Sequence, residues 1–104
     1  MNDNKIEIIR QYVGLKTDVL RNMISLDDFV VQKSLPTVNF IKADIEGYEA
    51  DMLRGAINLL RNSKPKLIIC TYHHENDPGE IEKIILSANP NYTIYKESGV
   101  IYAF

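Results

Sequence analysis

Two apolar segments separated by one helical pattern constrain this chain more than anything else in it. Val38-Asn39-Phe40-Ile41-Lys42-Ala43-Asp44 reads as a mostly apolar strand ending on a carboxylate, and Leu67-Ile68-Ile69-Cys70 is an uninterrupted apolar run. Between them Leu53, Ala56, Ile57 and Leu60 recur at offsets of 0, 3, 4 and 7, the face of a helix that must cover a sheet. That helix is expected from about Gly47 until Asn62-Ser63-Lys64-Pro65 stops it. An apolar run without alternation is expected of a strand buried on both faces of a parallel sheet. Strand, crossover helix and strand together predict a right-handed βαβ unit. The 0, 3, 4, 7 spacing returns in Ile81, Ile84, Ile85 and Ala88, and Asn89-Pro90-Asn91 ends it. Tyr92–Lys96 and Val100–Phe104 then flank Glu97-Ser98-Gly99, the pattern of a hairpin whose glycine supplies the turn. The expected fold class is α/β: a βαβ unit, a helix, and a C-terminal antiparallel hairpin.

Upstream the pattern is less regular. Ser25-Leu26-Asp27-Asp28 is a helix start, with Ser25 as cap and two carboxylates at the positive end of the helix dipole. Phe29, Val30 and Val31 continue a short helix that Pro36 closes from beyond its end. In residues 1–24, Ile6, Ile8, Ile9, Tyr12 and Val13 suit an extended segment, and Val19 to Ile24 a second one after a turn at Val13–Asp18. These residues are expected to form a β-hairpin or two irregular strands.

Composition narrows the function classes. A length of 104 residues suits one domain, and 12 Lys+Arg against 14 Asp+Glu leaves a net charge of −2, without the basic excess of a nucleic-acid module. No stretch approaches the roughly 20 apolar residues that span a bilayer. Met1-Asn2-Asp3-Asn4-Lys5 is polar and shows no signal peptide, and one cysteine, Cys70, suits a reducing compartment. A cytoplasmic location is therefore expected.

Ligands of open α/β sheets bind outside the carboxyl ends of the strands. That rule selects Asp44-Ile45-Glu46-Gly47-Tyr48-Glu49 after the first strand and Thr71-Tyr72-His73-His74-Glu75-Asn76-Asp77 after the second. Asp44 can orient a hydroxyl, accept its proton or hold a metal, or it can simply cap the next helix. Glu46 is a second candidate carboxylate. Glu49 and Asp51 read as first-turn charges, with Arg54 in reach of Asp51. Adjacent His73 and His74 point to opposite sides of an extended segment, so one of them can face the cleft, while surface or partly buried polar histidines are the ordinary alternative. Cys70, inside an apolar strand, reads as buried and inert.

Ser25-Leu26-Asp27-Asp28-Phe29, Phe40 through Glu49, Leu53-Arg54-Gly55-Ala56 and Lys64 through His73 resemble, in this order, the C-terminal half of FkbM-type methyltransferases. The resemblance covers residues 25–104, closing on the Tyr92–Phe104 hairpin; Ile41-Lys42-Ala43-Asp44-Ile45-Glu46-Gly47-Tyr48-Glu49 with the later Leu53-Arg54-Gly55-Ala56 is its specific part. It implies a Rossmann-like class I fold, S-adenosylmethionine as methyl donor, and transfer to a hydroxyl of a sugar or other small metabolite. The strands at 38 and 66 would be the fourth and fifth of a seven-stranded sheet, and the hairpin the sixth and seventh. The resemblance places Asp44 beside the transfer centre to orient or deprotonate the acceptor, with Glu46 and His73 shaping its pocket. The Gly-rich turn that holds the donor has no counterpart: the glycines are Gly14, Gly47, Gly55, Gly79 and Gly99, no two close enough for G-x-G. The chain is thus expected to be an acceptor-side half, not cofactor-competent alone, preceded by an N-terminal segment at residues 1–24. An alternative of a different class is an interaction module that self-associates, or docks a partner carrying the missing strands, through the open edge at Val38–Ala43. A third is a metal-dependent hydrolase using Asp44, Glu46 and His73. Neither a nucleic-acid nor a membrane partner is expected, and no metal is assigned.

Overall fold

The computed structural model describes residues 5–73 and 77–104. Its larger sheet contains Phe40–Ala43 (β3), Lys66–Cys70 (β4), Ile94–Glu97 (β5) and Val100–Ala103 (β6), in the order β3-β4-β6-β5. The first pair is parallel, with Ala43 opposite Ile69, while β6 is antiparallel to both β4 and β5. Only β6 therefore runs against the others. The expected βαβ unit and terminal hairpin are both present, the hairpin turning through Ser98 and Gly99, each at positive φ.

The sheet register sorts its side chains onto two unequal faces. Ile41, Ala43, Leu67, Ile69, Ile101 and Ala103 alternate onto one face and join the core. Helices Glu49–Arg54 (α2), Ile57–Asn62 (α3) and Pro78–Ala88 (α4) contribute Leu53, Leu60, Ile81 and Ile85 to the same core, all fully buried. On the opposite face Ile68 and Tyr102 are half-buried, and Phe40, Lys42 and Tyr95 are exposed. The apolar run at β4 is thus covered fully on the core face and in part on the other, where Cys70 is buried and Ile68 half-buried. No helix among the described residues is long and apolar enough to cross a membrane.

One expected helix is two. Its break falls at Gly55 and Ala56, where another segment approaches too closely for a side chain. A Cβ on Gly55 would lie 2.3 Å from the Gly14 carbonyl oxygen and 3.1 Å from that of Leu15. The freed backbone groups find other partners: Gly55 O accepts from Asp27 N at 3.0 Å. The Asp27 carboxylate accepts from Asn58 N at 3.0 Å and Leu59 N at 2.8 Å, capping α3 from a distant part of the chain. Asp27 itself sits in the first turn of Leu26–Gln32 (α1), whose cap is Ser25, accepting from Asp28 N at 3.1 Å.

Of residues 1–24, the described part, 5–24, departs from a hairpin. Tyr12–Val13 (β1) and Met23–Ile24 (β2) pair in parallel, with Tyr12 opposite Met23. The chain reverses twice between them, at the bend after Gly14 and again where Asp18 and Met23 bridge around a 3₁₀ turn at Val19–Arg21. Two reversals restore the original direction, so residues 12–24 form two short irregular strands rather than a hairpin. Gly14 and Val13 dock it to the core through Gly55 and the buried cluster.

Candidate active site at the carboxyl ends of β3 and β4

Because β3 and β4 are parallel and in level register, the residues that follow each strand share one edge of the sheet. Asp44 comes directly after β3, and Thr71, Tyr72 and His73 directly after β4. The Tyr72 hydroxyl lies 2.8 Å from each Asp44 oxygen and donates to that carboxylate. His73 brings Nε2 to 3.4 Å from Asp44 Oδ1 and Nδ1 to 3.7 Å from Glu46 Oε2. Its ring stacks on that of Tyr72 with centroids 4.4 Å apart. Asp44, Glu46 and His73, the three residues singled out from the sequence, are therefore brought together. His74 lies outside the described residues.

The electrostatics follow from the hydrogen bonds. The Tyr72 hydroxyl, more than His73, holds the Asp44 carboxyl below the usual aspartate value. Reciprocally, its bond to the carboxylate pushes the Tyr72 phenol up to about 12. Asp44 is a fixed negative charge rather than a proton reservoir at neutral pH. It does not cap α2, whose N-cap is Tyr48.

The loop between Asp44 and α2 owes its shape to Glu49. This carboxylate is fully buried and accepts from Ile45 N at 2.6 Å and from Gly47 N at 3.0 Å. The two bonds bracket Glu46, which sits at φ 61° and is followed by Gly47 at φ 103°. Left-handed backbone is costly for a residue with a Cβ and is kept only where the surroundings enforce it. The turn leaves the Glu46 side chain 81% exposed while it still reaches the half-buried His73. Glu49 was legible only as a first-turn charge; the acid three residues after another acid, around a glycine, was the available signal. Tyr72 was also missed as a functional candidate, although it sits within the selected loop. Asp51 and Arg54 pair at 3.1 Å, as their spacing suggested, and Arg54 also reaches Glu80.

Among the described residues, Asp44, Glu49 and His73 can each offer one ligand atom to a cation, with those atoms within 4.8 Å of one another. The partners already on them, the Tyr72 hydroxyl on Asp44 and two backbone N–H groups on Glu49, are those of a hydrogen-bonded cluster. Beside the cluster, a cavity of about 650 Å³ opens between the β1–β2 pair and the loop after β3, with Tyr12, Arg21, Glu46 and Tyr48 in its wall.

Comparison with known proteins identifies the family. The sequence profile of the methyltransferase FkbM domain matches residues 10–93. The chain is 32% identical over 73 residues to the hexuronic acid methyltransferase AglP of Haloferax volcanii, an alignment covering 70% of this chain and 30% of that protein. The crystal structure of methyltransferase FkbM from Methylobacillus flagellatus superposes with a TM-score of 0.70 at 27% identity, over 88% of this chain and 26% of that one. The chain thus spans less than a third of the length of either relative. A four-stranded sheet with one reversed strand, an acidic loop at its carboxyl edge and these matches lead to one conclusion: the chain belongs to the FkbM methyltransferase family.

Proposed function

We propose that this chain supplies the acceptor side of an O-methyl transfer onto a hydroxyl of a sugar or other small metabolite. The carrying observation is the Asp44–Tyr72–His73–Glu46 cluster, in which each nitrogen of one histidine faces a carboxylate. The tautomer that suits the shorter contact has Nε2–H donating to Asp44. Nδ1 then keeps a lone pair on the Glu46 side, where 3.7 Å is too long for a direct hydrogen bond, so that lone pair is available to a substrate hydroxyl approaching from beside the two groups. In this reading His73 Nδ1 takes the acceptor proton, Asp44 positions the ring and stabilises the imidazolium, and Glu46 accepts a neighbouring hydroxyl. The acceptor oxygen forms its bond to the transferred methyl as the methyl leaves its donor. This assigns base and positioning roles in the opposite sense from the sequence expectation for Asp44, because a depressed carboxyl is a poor proton acceptor.

A sugar hydroxyl as acceptor is supported by the relative named for hexuronic acid. S-adenosylmethionine is the donor that the family implies, and it would supply an electrophilic methyl. None of the five glycines forms a G-x-G turn, so no residue of this chain is assigned to hold it. In this reading residues 25–104 are the methyltransferase-like α/β unit and residues 1–24 an N-terminal segment, whose Val13 and Gly14 pack against that unit. The single cysteine accords with a cytoplasmic setting. The test is methyl transfer by the native protein to sugar acceptors: His73→Gln lowers kcat by about 10²-fold or more, the usual worth of a positioned base. Transfer within threefold of wild type in that variant would remove His73 from the mechanism.

A second reading, an interaction module that self-associates or takes a partner strand, is favoured by the outer edge of β3. That strand ends the sheet, and beside it runs an apolar groove of about 360 Å³ lined by Phe29, Leu35, Val38 and Phe40. Sedimentation showing a strict monomer at high concentration would count against self-association across that edge.

A further inference from the structure

We infer that the cavity beside Glu46 is an acceptor subsite for a sugar ring carrying an anionic oxygen group, a carboxylate or a phosphate, and that Arg21 selects that group. The inference rests on the acceptor role proposed above and names its substrate class. At about 650 Å³ the cavity lies within the ~300–1,000 Å³ of small-molecule sites and is large enough for one or two sugar rings. Two tyrosines from unconnected elements, Tyr12 on β1 and Tyr48 ahead of α2, are 68% and 65% exposed there. Exposed aromatic rings in a concave wall suit the apolar C–H faces of a sugar, while their hydroxyls meet its polar rim.

The wall carries charge of both signs. Among the described residues, Arg21 is the one cation in the lining and Glu46 the one carboxylate. The Arg21 side chain is 79% exposed, and Nε approaches Asp18 at 3.6 Å, an exposed contact of little energetic worth. Its planar fork matches a carboxylate or phosphate with two parallel hydrogen bonds. Glu46 repels an anion and accepts hydroxyls instead. A ligand in this cavity is therefore oriented with its anion toward Arg21 and a neutral hydroxyl toward Glu46. Glu46 is also the residue that reaches His73, so the side chain which attracts hydroxyls adjoins the proposed base. The left-handed turn enforced by Glu49 places Glu46 where both the cavity and His73 use it.

The experiment is an amide and side-chain NMR titration of this chain with methyl glucuronide, glucose 1-phosphate and methyl glucoside. At least one anionic sugar is expected to bind tenfold or more tightly than the neutral glucoside and to shift Tyr12, Arg21 and Tyr48. Which anion binds better identifies carboxylate or phosphate. Arg21→Ala, an exposed substitution, removes the preference for the anion, so that the anionic sugar binds no more tightly than the glucoside. Arg21→Lys restores only part of it. Equal binding of all three sugars, an anion preference that survives Arg21→Ala, or no binding at millimolar concentration each overturns the subsite. The two proposals fail separately: loss of transfer in His73→Gln with equal sugar binding removes the subsite alone. Anion binding at Arg21 with transfer unaffected by His73→Gln removes the catalytic assignment alone.

Discussion

Replacing Glu49 by Gln tests whether one buried carboxylate shapes the acidic loop. Its oxygens accept from Ile45 N at 2.6 Å and Gly47 N at 3.0 Å, and the side chain has no solvent exposure. Hydrogen bonds to a charged acceptor contribute about 1.5–3 kcal/mol each, so the pair is worth about 3–6 kcal/mol, whereas Gln retains one neutral bond worth about 1 kcal/mol. Two effects reduce the difference. Gln is spared the burial of a full charge, and water can reach the partly exposed Ile45 and Gly47 amides. A net loss of about 2 kcal/mol remains, which for a domain of this size lowers Tm by roughly 8–16 °C. Urea denaturation reads the stability. The amide shifts of Ile45 and Gly47 read the two bonds, and the Glu46 Cα shift reads release from the left-handed region. Stability within about 0.5 kcal/mol of wild type, together with unmoved Ile45 and Gly47 amides, would refute the reasoning.

Three further outcomes are expected. Gly55→Ala should destabilise by about 2–3 kcal/mol in urea, because the added carbon meets the Gly14 carbonyl at 2.3 Å and backbone cannot yield cheaply; a gain in stability from helix propensity would contradict the close approach. Asp27→Ala should cost about 1–2 kcal/mol and speed hydrogen exchange at Asn58 and Leu59, the α3 amides it caps, while exchange in β4 stays unchanged. Asp44→Asn should bring the Tyr72 phenol down from about 12 toward its ordinary value of 10, followed by tyrosinate absorbance with Tyr72→Phe as the blank. The sign of the linkage differs for the two partners. Tyr72, raised by folding, contributes stability that is present below pH 10 and is lost as pH rises toward about 12. Asp44, lowered by folding, contributes stability that is present above 3.8 and is lost as pH falls through its depressed value.

Much of the architecture was legible because it rests on period and chain order. The helical spacing of Ile81, Ile85 and Ala88 placed them in the core, and the apolar run at Leu67–Cys70 became the strand between β3 and β6. The site was legible to the same depth. Asp44, Glu46 and His73 were selected by their place after parallel strands, and level register brought them together. Contacts between remote backbone segments were not legible. Nothing local to Gly55 says that residue 14 will press on it, and an unbroken helix was the natural reading of its neighbourhood. Asp27 looked like a charge serving its own helix and instead caps α3, about thirty residues on.

The sequence by itself determined the α/β class, the order of its elements and which loops leave the sheet at its carboxyl edge, since these depend on periodicity and on residue types next to one another. Tertiary structure alone decided that the first two strands run parallel, that one helix becomes two, and that one sheet face is only partly covered. It also decided the electrostatics of the candidate site. Whether Asp44 is a base or a fixed charge depends on a phenol 28 residues away, and the shape of the Glu46 turn depends on whether Glu49 is buried beneath it. Hydrogen-bond strength and proton affinity follow from distance and burial, and folding sets both.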